Sequence, residues 1–315
     1  MRLAFMGTPD FALPTLESLL EAKEHKLSCV VTQPDKPRGR GRILSVPPVK
    51  VLAKTHGLPV FQPEKLKANE ELFRKMISSD LDAVVVVAYG KMIPDEMLGI
   101  PRYGFINVHA SLLPEFRGAS PINRAIMSGA TKTGITIMKI EHDMDAGPVY
   151  LQEEFPIGQD DDAVSLSHSL SLLGARMLQK TLSLIAADAL QPVPQDHSKA
   201  TYAPIIHREE GNIDWNKDVE DVHNMVRGLL PWPCAYTSLN NRMLKILKTS
   251  VTRGSTGFNP GTLIKERSSL KVACSGGFLT LHRLQLEGKN PMDGPAFACG
   301  LKQNRLVLGQ TGEQS

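Results

Sequence analysis

Apolar residues in the first two hundred positions come in two rhythms, short unbroken runs and stretches at helical spacing. Their alternation predicts βαβ units built around a largely parallel sheet. Strands are expected over Arg2–Met6, Ser28–Thr32, Leu58–Phe61, Ala83–Ala88 and Phe105–His109. Helices are expected over Val49–His56 and Asn69–Ser79, and also after Thr8-Pro9, where Leu13, Leu16, Leu19 and Leu20 recur at helical spacing. There Thr8 reads as a cap and Pro9 as a first-turn residue, while Pro14 blurs the start of the helix. Ala83 to Ala88 is apolar without alternation, as a strand buried on both faces should be. Beyond it the pattern predicts a helix over Pro121–Ser128 and a β-branched strand over Gly134–Lys139. An edge strand over Val149–Phe155 and a long helix over Ala163–Ala189 complete the first domain.

The run Gln191-Pro192-Val193-Pro194-Gln195-Asp196-His197-Ser198 has the proline and polar content of a linker, so the rhythm is expected to change there. Apart from a helical stretch over Val219–Arg227, short strands separated by Gly, Asn and Ser follow. They cover Ala235–Leu239, Met243–Leu247, Gly261–Ile264, Leu270–Cys274 and Phe278–Leu286, a pattern suited to a small β-barrel. Trp215 and Trp232 are expected to anchor its core. The chain therefore reads as a Rossmann-like α/β domain (1–189) with helices on both faces of a largely parallel sheet, a linker (190–206) and a small β-domain (207–315). No internal repeat is present.

Composition adds mainly exclusions. The 315 residues are 42% hydrophobic and 22% charged, within the range of ordinary globular proteins. The longest apolar run is far shorter than the ~20 residues of a membrane-spanning helix, and no membrane role is expected. Met1 to Gly7 reads as a first strand, not an export signal. The four cysteines (Cys29, Cys234, Cys274, Cys299) are far apart, with no metal or redox spacing, and a reducing cytoplasm is the simplest compartment. No H-E-x-x-H pair occurs, so no metal is expected, and the first βα turn lacks G-x-G-x-x-G, which disfavours a dinucleotide. The net charge of +3 hides an asymmetry: residues 240–312 hold eleven Lys and Arg against three Asp and Glu. A second basic run, Lys36-Pro37-Arg38-Gly39-Arg40-Gly41-Arg42, continues without an acid to Lys54. Either could meet a polyanion, and either could be an ordinary solvated surface.

The chemistry is concentrated in Asn107-Val108-His109-Ala110-Ser111-Leu112-Leu113-Pro114-Glu115-Phe116-Arg117-Gly118-Ala119-Ser120-Pro121-Ile122. Residues two apart on a strand share a face, so Asn107 and His109 would project together at the carboxyl end of their strand, where open α/β sheets bind ligands. An amide donor beside an imidazole suits acyl transfer, in which charge builds on a carbonyl oxygen. Taken alone, an Asn and a His at strand spacing are more often hydrogen-bonded loop anchors than catalysts. Asp145, in the turn before Ala146-Gly147-Pro148, supplies a candidate carboxylate.

These segments resemble the folate-dependent formyltransferases, whose hallmark is Asn-x-His, then Ser-Leu-Leu-Pro, Arg-Gly-Ala-x-Pro-Ile and an Asp-x-Gly turn. All four stand here in that order. The resemblance implies that Asn107, His109 and Asp145 are the catalytic trio. It further implies that Ser111, Leu112, Leu113 and Pro114 contact tetrahydrofolate, with the strand exit Ala88, Tyr89 and Gly90 lining the same site. Within the family the chain is most similar to the members that formylate methionyl-tRNA. The opening turn Gly7 to Ala12 and the basic run fit that branch, as do Gly211-Asn212-Ile213-Asp214-Trp215 and Leu230-Pro231-Trp232-Pro233-Cys234-Ala235. The chain departs from the family at Ile205, where a lysine is usual.

The implied donor is 10-formyltetrahydrofolate, and the implied acceptor is the α-amino group of methionine on initiator tRNA. The tRNA contacts would come from Lys36, Arg38, Arg40 and Arg42, together with Lys245 and Lys248 on an OB-like second domain, the protein acting as a monomer. Formyl transfer onto an amino sugar nucleotide or a purine precursor is a rival reading, as is a noncatalytic RNA-binding module. The basic segments argue against the first and the intact trio against the second.

Overall fold

The computed structural model describes residues 1–38 and 43–309. The chain forms two compact units, one made of Met1–Pro121, Lys132–Pro156 and Ser167–Pro204, the other of Ile122–Thr131, Ile157–Leu166 and Ile205–Ser315. Two segments of the expected first domain thus belong with the second unit, and the proline-rich stretch 191–198 belongs with the first.

The first unit is built on β1 (Arg2–Gly7), β2 (Lys26–Val31), a two-stranded hairpin of β3 (Lys36–Arg38) and β4 (Ile43–Ser45), then β5 (Val60–Phe61), β6 (Ala83–Val87), β7 (Phe105–His109), β8 (Lys132–Lys139) and β9 (Val149–Pro156). Its main sheet has the order β5-β2-β1-β6-β7-β8-β9. Pairing is parallel from β5 to β7 and antiparallel at β7–β8 and β8–β9. Every residue of β6 is buried, as its unbroken apolar run requires. The chain winds outward from β1 through β2 to β5 and then returns to place β6 beside β1, which creates a topological switch point between β1 and β6.

The helices are α1 (Leu13–Glu21), α2 (Pro48–Thr55), α3 (Glu70–Ser78), α4 (Asp95–Leu98), α5 (Pro121–Met127), α6 (Ala163–Ala186), α7 (Val219–Gly228) and α8 (Gly294–Cys299). None of the described helices is long and apolar enough to cross a membrane. Thr8 does not cap α1. A 3-10 turn over Asp10–Ala12 intervenes, and Pro14 falls in the first turn of α1, where its missing N–H costs nothing. The Thr8 hydroxyl instead donates to the Tyr89 carbonyl at 3.3 Å.

In the second unit, β10 (Ala235–Leu239), β11 (Arg242–Arg253), β12 (Thr262–Lys265), β13 (Leu270–Cys274), β14 (Gly277–Leu286), β15 (Met292–Asp293) and β16 (Arg305–Val307) form an antiparallel sheet. Its order is β10-β11-β14-β13-β12-β16, with β15 added beside β14. Its core gathers Trp215, Val222, Val226, Leu244, Ile246, Val272, Leu279, Leu281 and Phe297. β11 continues past its expected end at Leu247 as far as Arg253. In that extension Thr249 is buried while Ser250 and Thr252 face water, an alternation of polar residues that sustains a strand without an apolar run. Trp215 is a core residue, its indole N–H donating to the Thr237 hydroxyl at 3.2 Å. Trp232 is not: held between two prolines in a turn, it is 58% exposed, which corrects its expected place in the core.

Candidate active site

The carboxyl edge of the first sheet collects the polar side chains. At the switch point β6 exits through Ala88-Tyr89-Gly90, with Ala88 at φ 47° and Gly90 at φ 76°. Gln33, just past β2, donates its side-chain amide to the Tyr89 carbonyl at 2.9 Å and ties this exit to β2. A Cβ on Gly90 would stand 2.7 Å from that amide. The Tyr89 ring turns into the core beside Met6, Cys29 and Val86, and burial pushes the pKa of its hydroxyl up to about 12. Ala88 and Gly90 are therefore the exposed part of the segment, and Tyr89 contributes only backbone to the edge.

One strand away, β7 presents Asn107 and His109 on one face, as alternation requires. The Asn107 side chain is partly exposed and makes no hydrogen bond to any described residue, so its amide N–H is available. His109 is nearly buried. Its Nε2 lies 3.2 Å from the Phe116 carbonyl, which assigns the proton to that nitrogen. Its Nδ1 faces Oδ1 of Asp145 at 3.7 Å, too long for a hydrogen bond but close enough for electrostatic coupling. A proton taken up by the ring meets an oxygen at either nitrogen. Asp145 sits at φ 52°, and its other oxygen, Oδ2, accepts the Gly118 N–H at 2.8 Å. Gly118 itself lies at φ 121°, and a Cβ there would strike the Ala203 carbonyl at 2.7 Å, so the loop's approach to residue 203 requires glycine.

The loop after β7 is fixed from beneath. The Ser111 hydroxyl is fully buried and donates to the Glu115 carbonyl at 2.6 Å, so it closes the turn and is turned away from solvent. Leu113 is also buried, whereas Leu112 and Pro114 are partly exposed. Thr136 on β8 donates to the Ser111 carbonyl at 2.6 Å and accepts the Leu113 N–H at 3.1 Å. Gln152 on β9 donates to the Leu113 carbonyl at 2.6 Å. Neither Thr136 nor Gln152 stands out in the sequence, because a β-branched or polar residue on a strand is ordinary. Gln33 carries one signal, a polar side chain directly after a strand at the ligand-bearing edge.

The basic candidates are scattered. Lys36 reaches the Gln33 side-chain oxygen at 2.9 Å. Arg38 lies on β3, while Arg40 and Arg42 fall outside the described residues. Lys245 and Lys248 lie on β11 without an ion pair among the described residues. Nearby Lys271 and Arg283 are paired instead with Glu266 at 2.8 Å and Asp293 at 3.8 Å. No group of three or more His, Cys, Asp and Glu is arranged to hold a metal ion among the described residues.

Residues 1–182 match the formyl transferase family, and residues 205–302 match the formyl transferase C-terminal domain. A methionyl-tRNA formyltransferase from Geotalea uraniireducens is 45% identical over 303 residues, covering 96% of each chain. One from Bacillus velezensis is 43% identical over 317 residues, covering 100% of this chain and 99% of its own. Among solved structures, the N-formyltransferase from Helicobacter canadensis in complex with folinic acid and dTDP-3-aminofucose shares the fold. It has a TM-score of 0.66 at 19% identity, covering 89% of this chain and 98% of its own. The matched residues take in every strand of the edge just described and much of the second unit, and the chain belongs to the formyl transferase family.

Proposed function

We propose that the protein transfers the formyl group of 10-formyltetrahydrofolate to the α-amino group of methionyl-tRNA, with initiator tRNA as the acceptor. What carries the reading is the 43–45% identity to methionyl-tRNA formyltransferases along nearly the whole chain, basic tail included. The Asn107–His109–Asp145 arrangement at the sheet edge supports it, as does the folate derivative bound by the Helicobacter canadensis relative of the fold. All four cysteines are free thiols, in keeping with a reducing cytoplasm.

In this reading the exposed backbone of Ala88 and Gly90 and the Ser111–Pro114 loop receive the folate co-substrate. The amine attacks the formyl carbon, and the carbonyl electron pair moves onto oxygen. Asn107 donates its free N–H to that oxyanion. The ammonium proton leaves through water to Asp145. Collapse returns the electron pair and breaks the bond to the folate nitrogen, which takes up a proton with help from His109. The part after residue 206 acts as an OB-like module whose Lys245 and Lys248, together with Lys36, Arg38, Arg40 and Arg42, meet the tRNA backbone. The catalytic residues all fall within 1–189.

The test is transfer of labelled formyl to methionyl-tRNA, run beside uncharged tRNA and an amino sugar nucleotide. Product on methionyl-tRNA alone is expected, with kcat lowered about 10²- to 10³-fold in Asn107→Ala, the usual cost of one oxyanion donor. Formylation of the sugar nucleotide alone would overturn the acceptor, and full activity of a folded Asn107→Ala protein would overturn the site.

A further inference from the structure

Behind the Asp145 turn, inside the first unit, lies a buried cation held by an amide and an imidazole. Arg117 is 4% exposed. Its Nε and Nη2 both donate to Oε1 of Gln195, at 3.2 and 2.6 Å, and Nη2 also reaches Nδ1 of His197 at 3.0 Å. No acidic group among the described residues is bonded to it. Gln195, itself 8% exposed, passes the interaction on: its Nε2 donates to the Asp145 carbonyl at 2.9 Å and to the Gly147 carbonyl at 2.7 Å.

The chemistry of these bonds fixes the amide one way round. Rotating it by half a turn would set an NH2 against the guanidinium donors and an oxygen against two carbonyl oxygens, turning every favourable contact into a repulsive one. A charged donor polarises the amide and strengthens the N–H bonds on its far side. The turn it grips needs an outside hold. Asp145 is a non-glycine residue at φ 52°, a conformation that persists only where its surroundings impose it. On the other flank Gly147 is pressed against β8 so closely that a Cβ there would stand 2.0 Å from the Lys139 carbonyl. The same stretch also grips the loop after β7 through its backbone, with Arg117 N–H donating to Thr201 O at 2.9 Å and Ala203 N–H to Arg117 O at 2.7 Å.

We propose that Gln195, oriented by the buried Arg117, is a positioning residue for the reaction, holding the Asp145 turn so that the carboxylate faces His109. A residue of the stretch expected to be a linker thus becomes part of the catalytic apparatus. The inference rests on the formyl-transfer reading above, and the two are tested apart.

Two variants address it: Gln195→Met removes both sets of bonds at similar size, and Gln195→Glu keeps the oxygens facing Arg117 but sets a second oxygen against the carbonyls of Asp145 and Gly147. Steady-state formyl transfer to methionyl-tRNA is measured for each, alone and combined with Asp145→Asn, with thermal unfolding as the check on folding. Folded single variants should lose about 10- to 100-fold in kcat, the scale of a catalytic group displaced by about 1 Å, while the KM values for folate and tRNA stay within about twofold. In the Asp145→Asn background neither substitution should lower kcat further. A folded Gln195→Glu protein with wild-type kcat overturns the proposal, and so does an equal loss in both backgrounds, which would mean that Gln195 acts independently of Asp145. Absence of transfer by the unaltered protein would instead overturn the formyl-transfer reading.

Discussion

Two threonines on β8, Thr133 and Thr136, are both buried and should respond in opposite ways to the same substitution. Thr136 is fully buried, and its hydroxyl serves the Ser111 carbonyl and the Leu113 N–H beneath the loop after β7. Thr133 is 2% exposed, and its hydroxyl has no hydrogen-bond partner among the described residues. Valine is close to threonine in shape, so each substitution removes a hydroxyl and little else. At Thr136 it strands one buried acceptor and one buried donor, each costing about 1–3 kcal/mol, and we expect a loss of about 3 kcal/mol once the loop relaxes. Gln152 Nε2 also donates to the Thr136 hydroxyl at 2.9 Å and loses that acceptor, but it keeps its bond to the Leu113 carbonyl, which limits the added cost. For a folded unit of this size that is a fall in Tm of roughly 6–12 °C. At Thr133 the substitution relieves an unpartnered polar group and should be neutral or stabilising by up to about 1 kcal/mol. Thermal and urea unfolding of Thr136→Val, Thr133→Val and the hydroxyl-retaining Thr136→Ser separate the cases. Formyl-transfer kinetics should show the folate KM rising in Thr136→Val alone. A Thr136→Val protein as stable as wild type, or a Thr133→Val protein destabilised as much as Thr136→Val, would refute the hydrogen-bond reasoning.

Two further outcomes are expected. Burial, reinforced by Arg227, holds His223 below the usual histidine value of 6.5, and its Nδ1 sits 2.8 Å from the Thr249 hydroxyl. Between its folded and unfolded values the unfolded chain therefore binds more protons, so the stabilisation is complete above 6.5 and is lost as pH falls below it. His223→Gln should flatten the decline in stability below pH 6.5, read by urea unfolding across pH; an unchanged slope would remove His223 as its source. In the basic run, Arg42→Ala should raise the KM for methionyl-tRNA and leave that for folate unchanged, and wild-type kinetics with both substrates would take Arg42 out of the tRNA contact.

The elements most legible in the sequence are those whose pattern is local. Phe105–His109, Ala235–Leu239 and Leu270–Cys274 have the ends that their apolar periodicity predicts, because burial on one or both faces is written in consecutive side chains. The region after residue 286 is not legible. There α8 follows a stretch rich in Gly and Pro, and β16 is a very short strand that exists through its pairing with the distant β12. The hairpin of β3 and β4 is hidden for another reason, a proline inside one short strand and only charged or small residues between the two. Trp232 misleads by type: an aromatic residue suggests a core, but exposure is decided by what surrounds the turn.

The candidate site divides along the same line. Strand alternation is enough to bring Asn107 and His109 to one face of β7, so the identity of the reacting groups is local information. Their aim is not. Thr136 reaches Ser111 across 25 positions, Gln195 reaches Asp145 across 50, Gln33 reaches Tyr89 across 56, and Arg117 reaches Gln195 across 78. Each of these bonds runs to backbone or to a neutral amide, partners so common along any chain that they leave no pattern to read. The physical demand is nonetheless strict. Loops at the edge of a sheet lack a ladder to satisfy their backbone, and a loop that must hold a carboxylate near an imidazole needs its carbonyls and N–H groups taken up by something rigid. Buried side chains on β8 and in the 195–203 stretch supply that support. Substitutions there should accordingly disturb turnover more than their distance in sequence from Asn107 and His109 would suggest.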